Sequence, residues 1–459
     1  MNVLDSAIVI VWLVLVLGAG IVAGLRSSLE RFWVNERATP TPLLVYTIVA
    51  TQVGGGTVIG IASSSFVSGI GFGLVAVIST VTGFLAVAWL APWAKSFGDK
   101  NGAYTLPEVI GRRYGRPAQL AAAGIIVFAY LSLLAGQIVS AGVLVSFWTG
   151  YSFVLALLLA AGGVVVYTAY AGLRGDIITD AIHFWAKGII LFGILLPCIA
   201  LKVPLASYLH SIPYSVWSPV KFGGSVYLVV GVLLGAIIPI VSMEMWMRVY
   251  ASTTQEKARS SFIWSAFLVI PFYLLPIILG LVAIRILPHT THPDRVLFEL
   301  MFRYMPHGLL GLGVAGILSV VISAANTMIV VLGAVIYRDV LGRRTGIEGN
   351  ELRVSRLVTF SLGLVGCVFA FAVPNIVQLI LNAFFVVAIL APALLGLTLW
   401  RRATSVGALT SLLVGGLVTV AFLPIMPKQA FVPGLGLSIL AFFIISKLTR
   451  HRPEEDLEM

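Results

Sequence analysis

Charged residues are scarce in this sequence. Only 10% of its 459 residues are Asp, Glu, Lys or Arg, whereas 59% are apolar. Because soluble domains have roughly 25% charged residues, this chain has too little charge to cover a surface that faces water. The composition therefore excludes the soluble-enzyme, disordered and collagen-like classes and indicates a membrane protein.

Cysteine and catalytic motifs are equally scarce. Cys198 and Cys367 are the only cysteines, and both lie within apolar runs, which excludes a disulfide framework and a cysteine-based metal cluster. The sequence contains no HExxH, GxSxG or phosphate-loop motif, and its six histidines are scattered. We therefore predict that the protein is not an enzyme, holds no organic cofactor and has no metal beyond an alkali cation.

The formal net charge of +11 does not indicate a nucleic-acid partner. Such a partner needs a basic face or arm, whereas the Lys and Arg residues here lie in short loops between apolar runs. Basic residues in that position set the orientation of membrane spans. We expect the lipid bilayer as a partner and no nucleic acid, while the oligomeric state is left open.

The apolar runs are long enough to cross a bilayer. A hydrocarbon core about 30 Å thick requires about 20 apolar residues per helix, and thirteen runs meet this criterion. They lie at 4–25, 40–67, 72–94, 118–147, 152–172, 177–201, 223–248, 260–286, 306–337, 355–373, 375–400, 403–423 and 430–447.

The basic residues predict the orientation of these spans. If the N-terminus lies outside, 22 of the 29 Lys and Arg residues fall in inward segments and six in outward segments. Positive residues concentrate on the cytoplasmic side. We therefore predict a multi-pass protein of the cell membrane with its N-terminus outside, and with Arg343, Arg344 and the C-terminal tail inside.

Two runs carry residues that interrupt helices. Gly54, Gly55 and Gly56 follow Val53 in the middle of the second run, and each glycine costs about 1 kcal/mol of helix propensity relative to Ala. Gly235 and Pro239 occupy the seventh run. Paired interruptions are typical of transporters whose broken helices line a binding site. Close helix packing through small residues is the alternative, and it explains the Gly235 and Pro239 pair as well as a break does.

Ionisable residues inside the runs are few. Asp180, His183 and Lys187 share one helical face, so a charge relay and a packing role for the histidine both remain open. Glu244 and Arg248 are four residues apart, which favours a structural ion pair.

Uncharged polar groups offer further candidate contacts. Ser319, Ser323 and Thr327 lie on one face of the ninth run, where hydroxyls either bind a cation or bond neighbouring helices. Gln137 carries a buried amide that needs partners, and a substrate contact and an interhelix bond fit it equally well.

Five segments carry a resemblance to a known family. They are ATQVGGGTVIGIASSSFVSGIGFG at 50–73, TLPEVIGRRYG at 105–115, YTAYAGLRGDIITDAIHFW at 167–185, WMRVYAS at 246–252 and IYRDVL at 336–341. With these motifs the chain resembles the sodium:solute symporter family, whose fold is the leucine-transporter-like inverted repeat. The resemblance covers most of the chain.

The resemblance implies an all-α integral membrane fold in a single transporter domain, 1–459. Two inverted repeats of five helices would occupy 40–201 and 223–400. One extra helix, 4–25, would precede them and two, within 403–447, would follow.

The resemblance also implies site residues. The family's sodium site corresponds here to Ala50, Val53, Val320, Ser323 and Ala324. Ala324 is a departure, because a Ser or Thr is expected there, and Asp180 matches a position that in some members joins an additional cation site, with Thr327 nearby. The candidate substrate-binding residues are Gln52, Gly54, Gly55, Gly56, Thr57, Gln137 and Ser242.

The implied function is that of a secondary transporter that imports a small polar organic solute by alternating access. Na⁺ symport is the family's mechanism and the one that the resemblance implies. The missing hydroxyl at Ala324, and Gln52 where some relatives carry Asp, make H⁺ coupling through Asp180 or uncoupled transport the alternative. A transporter-like sensor and a channel are alternatives of another class. Amino-acid, monocarboxylate and choline-like solutes all remain open.

The orientation predicts a labelling pattern. In a variant without Cys198 and Cys367, a membrane-impermeant thiol reagent added to intact cells should label His289→Cys, in a predicted outward segment, and not Thr345→Cys, in a predicted inward loop. Labelling of Thr345→Cys in unbroken cells would contradict the orientation.

Overall fold

The computed structural model describes residues 2–25, 28–290, 292–341, 350–372, 375–400, 402–427 and 429–449. Within these ranges the chain forms helices and connecting turns, and extended backbone pairs only in an isolated parallel bridge between Thr39 and Ser252. Arg343, Arg344 and the end of the C-terminal tail lie outside the described residues, so their inward position stays a prediction.

The first half of the chain begins with long helices joined by short turns. Its α-helices are α1 (Val3–Gly24), α2 (Leu29–Val34), α3 (Thr41–Gln52), α4 (Ile61–Ser68), α5 (Gly71–Asn101), α6 (Leu106–Tyr114), α7 (Arg116–Thr149), α8 (Phe153–Gly188), α9 (Leu196–Ala200) and α10 (Leu205–His210). A π-helical segment, Gly56–Gly60, leads into α4, and another, Ile189–Leu195, joins α8 to α9.

The second half of the described chain is also helical. Its α-helices are α11 (Gly224–Gly235), α12 (Ile238–Val241), α13 (Met243–Ala251), α14 (Gln255–Leu268), α15 (Ile270–Ile286), α16 (Val296–Tyr304), α17 (Leu309–Val335), α18 (Glu351–Ala372), α19 (Ile376–Val387), α20 (Ala391–Leu399), α21 (Ser405–Phe422) and α22 (Phe431–Leu448). The π-helical segment Ile336–Leu341 extends α17.

Membrane-spanning helices dominate the part of the chain that the structure describes. Ten helical segments there are long and apolar enough to cross a bilayer, or eleven if the bent pair α3 and α4 is one span. Two shorter apolar helices, Phe153–Val166 and Gly224–Leu233, fall on the predicted runs 152–172 and 223–248. The all-helical membrane class is confirmed, whereas the total of thirteen spans and the two five-helix repeats stay predictions.

The predicted connection at 173–176 is shifted to Gly172. Two helices meet there within α8, because Gly172, with φ 60° and ψ −163°, has non-helical backbone angles, and residues 173–176 form the first turn of the second helix. Gly172 is required there, because a Cβ would be strained and would collide with the Phe32 ring. Asp176 therefore lies one helical turn beyond the bend, where it is buried.

Helix α17 forms the centre of the molecule. Its apolar window is buried along its whole length, and it packs against α1, α3, α7, α8 and α18. In contrast, α1 exposes large apolar side chains such as Ile10, Val14 and Val22. Because a long helix with an exposed apolar surface is suited to a lipid environment, α1 lies at the boundary with the bilayer and α17 in the protein interior.

The TLPE motif begins α6 with a capping box. The Thr105 hydroxyl accepts from the backbone N–H of Glu108 at 3.2 Å, and the Glu108 carboxylate accepts from the N–H of Thr105 at 3.3 Å. The Thr105 hydroxyl also donates to Asp339 at 3.0 Å, and Arg338 pairs with Glu108 at 2.7 Å. Two family motifs, TLPE and IYRDVL, therefore hold α6 against the end of α17.

Both predicted interruptions are confirmed. The axes of α3 and the helical segment Gly56–Ser68 differ by 51° across the glycines. In the second half, α11 ends at Gly235, and the short α12 around Pro239 separates it from α13.

Close packing accompanies the first break. A Cβ on Gly54 would lie 2.9 Å from the Ala324 methyl carbon, one on Gly55 would lie 2.5 Å from the Ser140 hydroxyl oxygen, and one on Gly56 would overlap Ile380. The two explanations for these glycines, a helix break and close packing, both apply.

The packing at the break predicts that Gly55→Ala destabilises the protein. The added methyl group would overlap Ser140, and overpacking of this kind costs about 1–3 kcal/mol. Gly124→Ala in α7 is the matched control, because nothing lies within 4 Å of its added Cβ. Thermal unfolding of the purified variants should lower the Tm of Gly55→Ala only, and equal Tm values would contradict the close approach.

Candidate functional site

The break between α3 and α4 leaves backbone carbonyls without their helical partners. Val53 has φ −87° and ψ 74°, which ends α3. The Gly54 carbonyl accepts from the N–H groups of Thr57 and Val58, and the Gln52 carbonyl accepts from the Thr57 hydroxyl at 2.9 Å. The carbonyls of Ala50 and Val53 remain for a partner from outside the helix.

Lys187 of α8 is that partner. Its Nζ donates to the Ala50 carbonyl at 2.6 Å and to the Val53 carbonyl at 3.0 Å. The side chain is only 1% exposed. The sequence predicted that these carbonyls hold an alkali cation, and the structure instead places the ammonium group of a lysine on them.

The predicted ligands on α17 lie beside the same break. Val320, Ser323 and Ala324 are all buried within the continuous helix. The Ser323 hydroxyl donates to the Asp180 carboxylate at 2.6 Å. Ala324 presents a methyl group toward Gly54, so this part of the site supplies a single side-chain hydroxyl.

A second buried cluster surrounds Arg248 of α13. Its Nη2 lies 2.7 Å from the Asp176 carboxylate and 3.3 Å from the Asp180 carboxylate. All three side chains are almost completely inaccessible to solvent. Three hydroxyls also lie within hydrogen-bond distance of this nitrogen, those of Thr47, Thr51 and Thr327. The structure thus brings Asp180 and Thr327 together, as predicted, around a guanidinium group.

The predicted ion pair between Glu244 and Arg248 is wrong. Arg248 turns toward the two aspartates of α8, and the Glu244 carboxylate instead accepts a hydrogen bond from the Tyr130 hydroxyl of α7. The spacing of four residues allows a pair on one helix, but two buried carboxylates across the helix interface compete more strongly for the guanidinium.

His183 takes no part in a hydrogen-bonded relay. It is buried on the same helix as Asp180 and Lys187, and neither ring nitrogen has a hydrogen-bond partner among the described residues.

Gln137 of α7 holds the backbone that follows Val53 at the break. Its Oε1 accepts from the backbone N–H of Gly55 at 2.8 Å, and its amide lies near Gly54 as well. The two interpretations of Gln137 are therefore compatible, since it bonds a neighbouring segment and also lines the adjoining cavity.

A cavity opens beside the break. Polar groups line one part of it and apolar side chains the rest. The lining residues are Thr51, Gln52, Gly54, Gly56, Thr57, Ile61, Phe72, Ala76, Leu133, Gln137, Glu244, Tyr273, Met328, Ile380 and Phe384. A cavity of this composition suits a small organic ligand held by a few polar contacts.

Most of the predicted substrate-binding residues line this cavity. Gln52 donates to the Tyr273 hydroxyl at 3.2 Å, and Tyr273 in turn accepts from Thr80 at 3.1 Å. Gly55 and Ser242 are not among the lining residues, and the Ser242 hydroxyl donates to the Ile238 carbonyl at the second break. A substrate-binding role for these residues stays a prediction.

Sequence reasoning missed Asp176, Tyr130 and Tyr273. Asp176 was assigned to a loop, although its position four residues before Asp180 would place both on one helical face. The two tyrosines gave no local signal, because Tyr130 contacts Glu244 across 114 positions and Tyr273 contacts Gln52 across 221.

Comparison with known proteins identifies the family. The model of the sodium:solute symporter family matches residues 32–415. The chain belongs to the sodium:solute symporter family. It is 22% identical to a sodium/pantothenate symporter of Haemophilus influenzae, over 97% of this chain and 96% of the relative. It is 21% identical to a high-affinity proline transporter of Bacillus subtilis, over 92% and 93%.

Solved structures show the same fold. A Na⁺-coupled sialic acid symporter in a substrate-bound, outward-open state superposes with a TM-score of 0.85 at 16% identity, over 98% of both chains. A nucleobase-cation-symport-1 family transporter gives a TM-score of 0.56 at 14% identity, over 92% of this chain and 96% of that one. The leucine-transporter-like fold expected from the motifs is therefore confirmed.

Family membership implies Na⁺ as the coupling ion, but the residues at the expected site do not suit it. Sodium prefers several oxygen ligands. Here a buried ammonium group already donates to two of the expected carbonyls, and Ala324 supplies no oxygen.

The cluster around Arg248 predicts that Arg248→Met strongly destabilises the fold. Removing one partner of a buried ion pair costs about 3–5 kcal/mol, because Asp176 and Asp180 would remain buried with less compensation. Arg259→Met, at an exposed position of α14, is the control. Denaturation of the purified proteins should show the loss for Arg248→Met and its partial recovery in Arg248→Met with Asp176→Asn. Similar stability of the two single variants would contradict the pairing.

Proposed function

We propose that the protein is a secondary transporter that imports a small polar organic solute by alternating access. The observation that carries the proposal is the cavity at the break of α3 and α4, in a chain whose helices span the bilayer. Irregular backbone at membrane depth is tolerated only where it lies against protein or a water-filled cavity, and transporters place their substrates at such breaks.

The two broken spans support movement as well as binding. The first break lies beside Gln52 and Gly54, and the second leads into α13, which contributes Glu244 to the same cavity. In transporters of this type, one helical bundle rocks against the other around the bound solute. Breaks on both sides of the cavity allow its inner and outer ends to open in turn.

The proposed solute carries a carboxylate. The helical segment that begins at Gly56 directs its positive dipole end toward the cavity, which favours a negatively charged group of the solute at that end. Glu244, the only charged residue that lines this cavity within the described chain, would repel a carboxylate, so the carboxylate of the solute is assigned to the helix terminus and not to the Glu244 side. The relatives named above are described as symporters of pantothenate and proline, and a partial match, 27% identical over 41% of this chain, is a monocarboxylic acid transporter of Corynebacterium glutamicum. All three kinds of solute contain a carboxylate.

In this proposal the protein lies in the plasma membrane with its N-terminus outside. The solute enters from the outer side, where α4 ends, and leaves on the side of the basic loops. Glu244 lines the cavity from α13, where it accepts a hydrogen bond from Tyr130, and it would favour solutes that also carry an amino or hydroxyl donor.

The proposal predicts solute-dependent stabilisation. Purified protein is mixed with proline, pantothenate, lactate, pyruvate or choline, and a true ligand raises Tm because it binds only the folded state. We expect at least one of the carboxylates to do so and to be taken up by proteoliposomes. Stabilisation by choline alone would contradict the carboxylate assignment, and no stabilisation by any of these compounds, together with no uptake, would contradict the proposed substrate class.

Gln52 lines the cavity, and we assign it a hydrogen bond to the solute. Gln52→Leu should weaken the binding of the stabilising solute about two- to tenfold, because a lost hydrogen bond costs roughly 0.5–1.5 kcal/mol. Thr410→Ala is the control, since the Thr410 hydroxyl bonds only within α21. Titration of both purified variants with the solute checks the expectation, and unchanged affinity in Gln52→Leu would place the solute elsewhere.

A further inference from the structure

The site that the family uses for sodium holds a cation of the protein itself. The Lys187 ammonium lies 2.6 Å and 3.0 Å from the two carbonyl oxygens that resemblance assigns to sodium, Ala50 and Val53. A sodium ion on the same oxygens would lie close to the positive charge of the ammonium group, which repels it. The lysine joins α8 to the broken end of α3, whereas an ion held by the expected ligands would join α3 to α17.

The hydroxyl side of the site is also incomplete. Ala324 has a methyl group in place of the expected hydroxyl, and its Cβ lies close to Gly54. The remaining hydroxyl, that of Ser323, donates a hydrogen bond to the Asp180 carboxylate at 2.6 Å. A sodium ion here would have to displace the lysine ammonium and bind without one of its expected hydroxyl ligands.

The second predicted cation position is filled in the same way. Asp180 and Thr327 both lie within hydrogen-bond distance of the Arg248 guanidinium, at 3.3 Å and 2.9 Å. The two expected cation positions thus hold two different side-chain cations, which are supplied by α8 and α13.

The charges of the buried cluster balance without an added ion. Counted at their formal charges, the buried Asp176 and Asp180 contribute two negative charges, and the buried Lys187 and Arg248 contribute two positive charges. His183 is the other titratable group on this face of α8, while α3 and α17 present only hydroxyls and carbonyls to the cluster. An added sodium ion would leave an unbalanced positive charge in a buried environment, which is strongly unfavourable.

We propose that Lys187 and Arg248 act as tethered cations in the places of the two alkali cations, so that this chain binds its solute and is stabilised without Na⁺. The inference rests on the proposed function, because it assumes that the protein is a transporter of this family, but it does not depend on which solute is transported. The family's sodium requirement is replaced in this chain by ion pairs that form within the protein.

The test uses Na⁺ itself as the probe. Purified protein is unfolded thermally in NaCl, KCl and choline chloride at equal ionic strength and constant pH. The wild-type Tm should be the same in all three salts. A specific rise of the wild-type Tm in NaCl that disappears in Ser323→Ala would overturn the proposal.

Two variants restore the expected site. Lys187→Ala frees both carbonyls and leaves one uncompensated negative charge, and Lys187→Ala with Ala324→Ser also supplies the missing hydroxyl. We expect NaCl, compared with KCl, to raise the Tm of the double variant by about 2 °C or more, and to raise that of the single variant less. Lys257→Ala, at an exposed lysine of α14, should show no difference between the salts.

The outcomes separate this proposal from the proposed function. If the double variant folds but shows no sodium effect, the lysine does not occupy a sodium site and the inference fails. If either variant does not fold, the wild-type salt comparison and its Ser323→Ala arm still decide. Absence of solute binding in every salt would contradict the transporter proposal, but it would leave the Na⁺ result unchanged.

Discussion

The contact between the Lys187 ammonium and the carbonyls of Ala50 and Val53 is the interaction on which the rest of the site depends. A broken helix in a membrane leaves polar groups that must find partners. The lysine satisfies two of them and adds a positive charge at the break. Two like charges 4 Å apart repel by about 4 kcal/mol at an effective dielectric constant of 20, so this charge decides which other ions the break accepts.

Neighbouring charged and polar side chains compensate the buried charge of Lys187. The bend at Gly172 places Asp176 and Asp180 on successive turns of α8, and Arg248 from α13 completes the balance. The hydroxyls of α3 and α17 then bond the carboxylates. Since the cluster connects α3, α8, α13 and α17, the same ion pairs that replace an external cation also hold the broken helices together beside the solute cavity.

The sequence predicted the fold well because apolar runs, helix-breaking glycines and family motifs are local signals. It also grouped Asp180 with Thr327, and the structure places both beside the Arg248 guanidinium. The weakening of a sodium site by Ala324 stays a prediction. The sequence could not predict the partner of Lys187, since that contact joins residues 137 and 134 positions apart, nor that Arg248 prefers the aspartates of another helix to Glu244. The partner that a buried side chain contacts depends on tertiary packing, and it cannot be read from the spacing of residues within one helix.

Sodium binding at equilibrium tests the central claim most directly. Purified wild-type protein is incubated with ²²Na⁺ at constant ionic strength, and the bound ion is counted as Na⁺ is titrated with and without the solute that stabilises the protein. The account predicts no saturable binding in either case, because the protein's own cations fill both positions. Saturable binding that approaches one Na⁺ per chain, and that unlabelled Na⁺ but not K⁺ displaces, would contradict it.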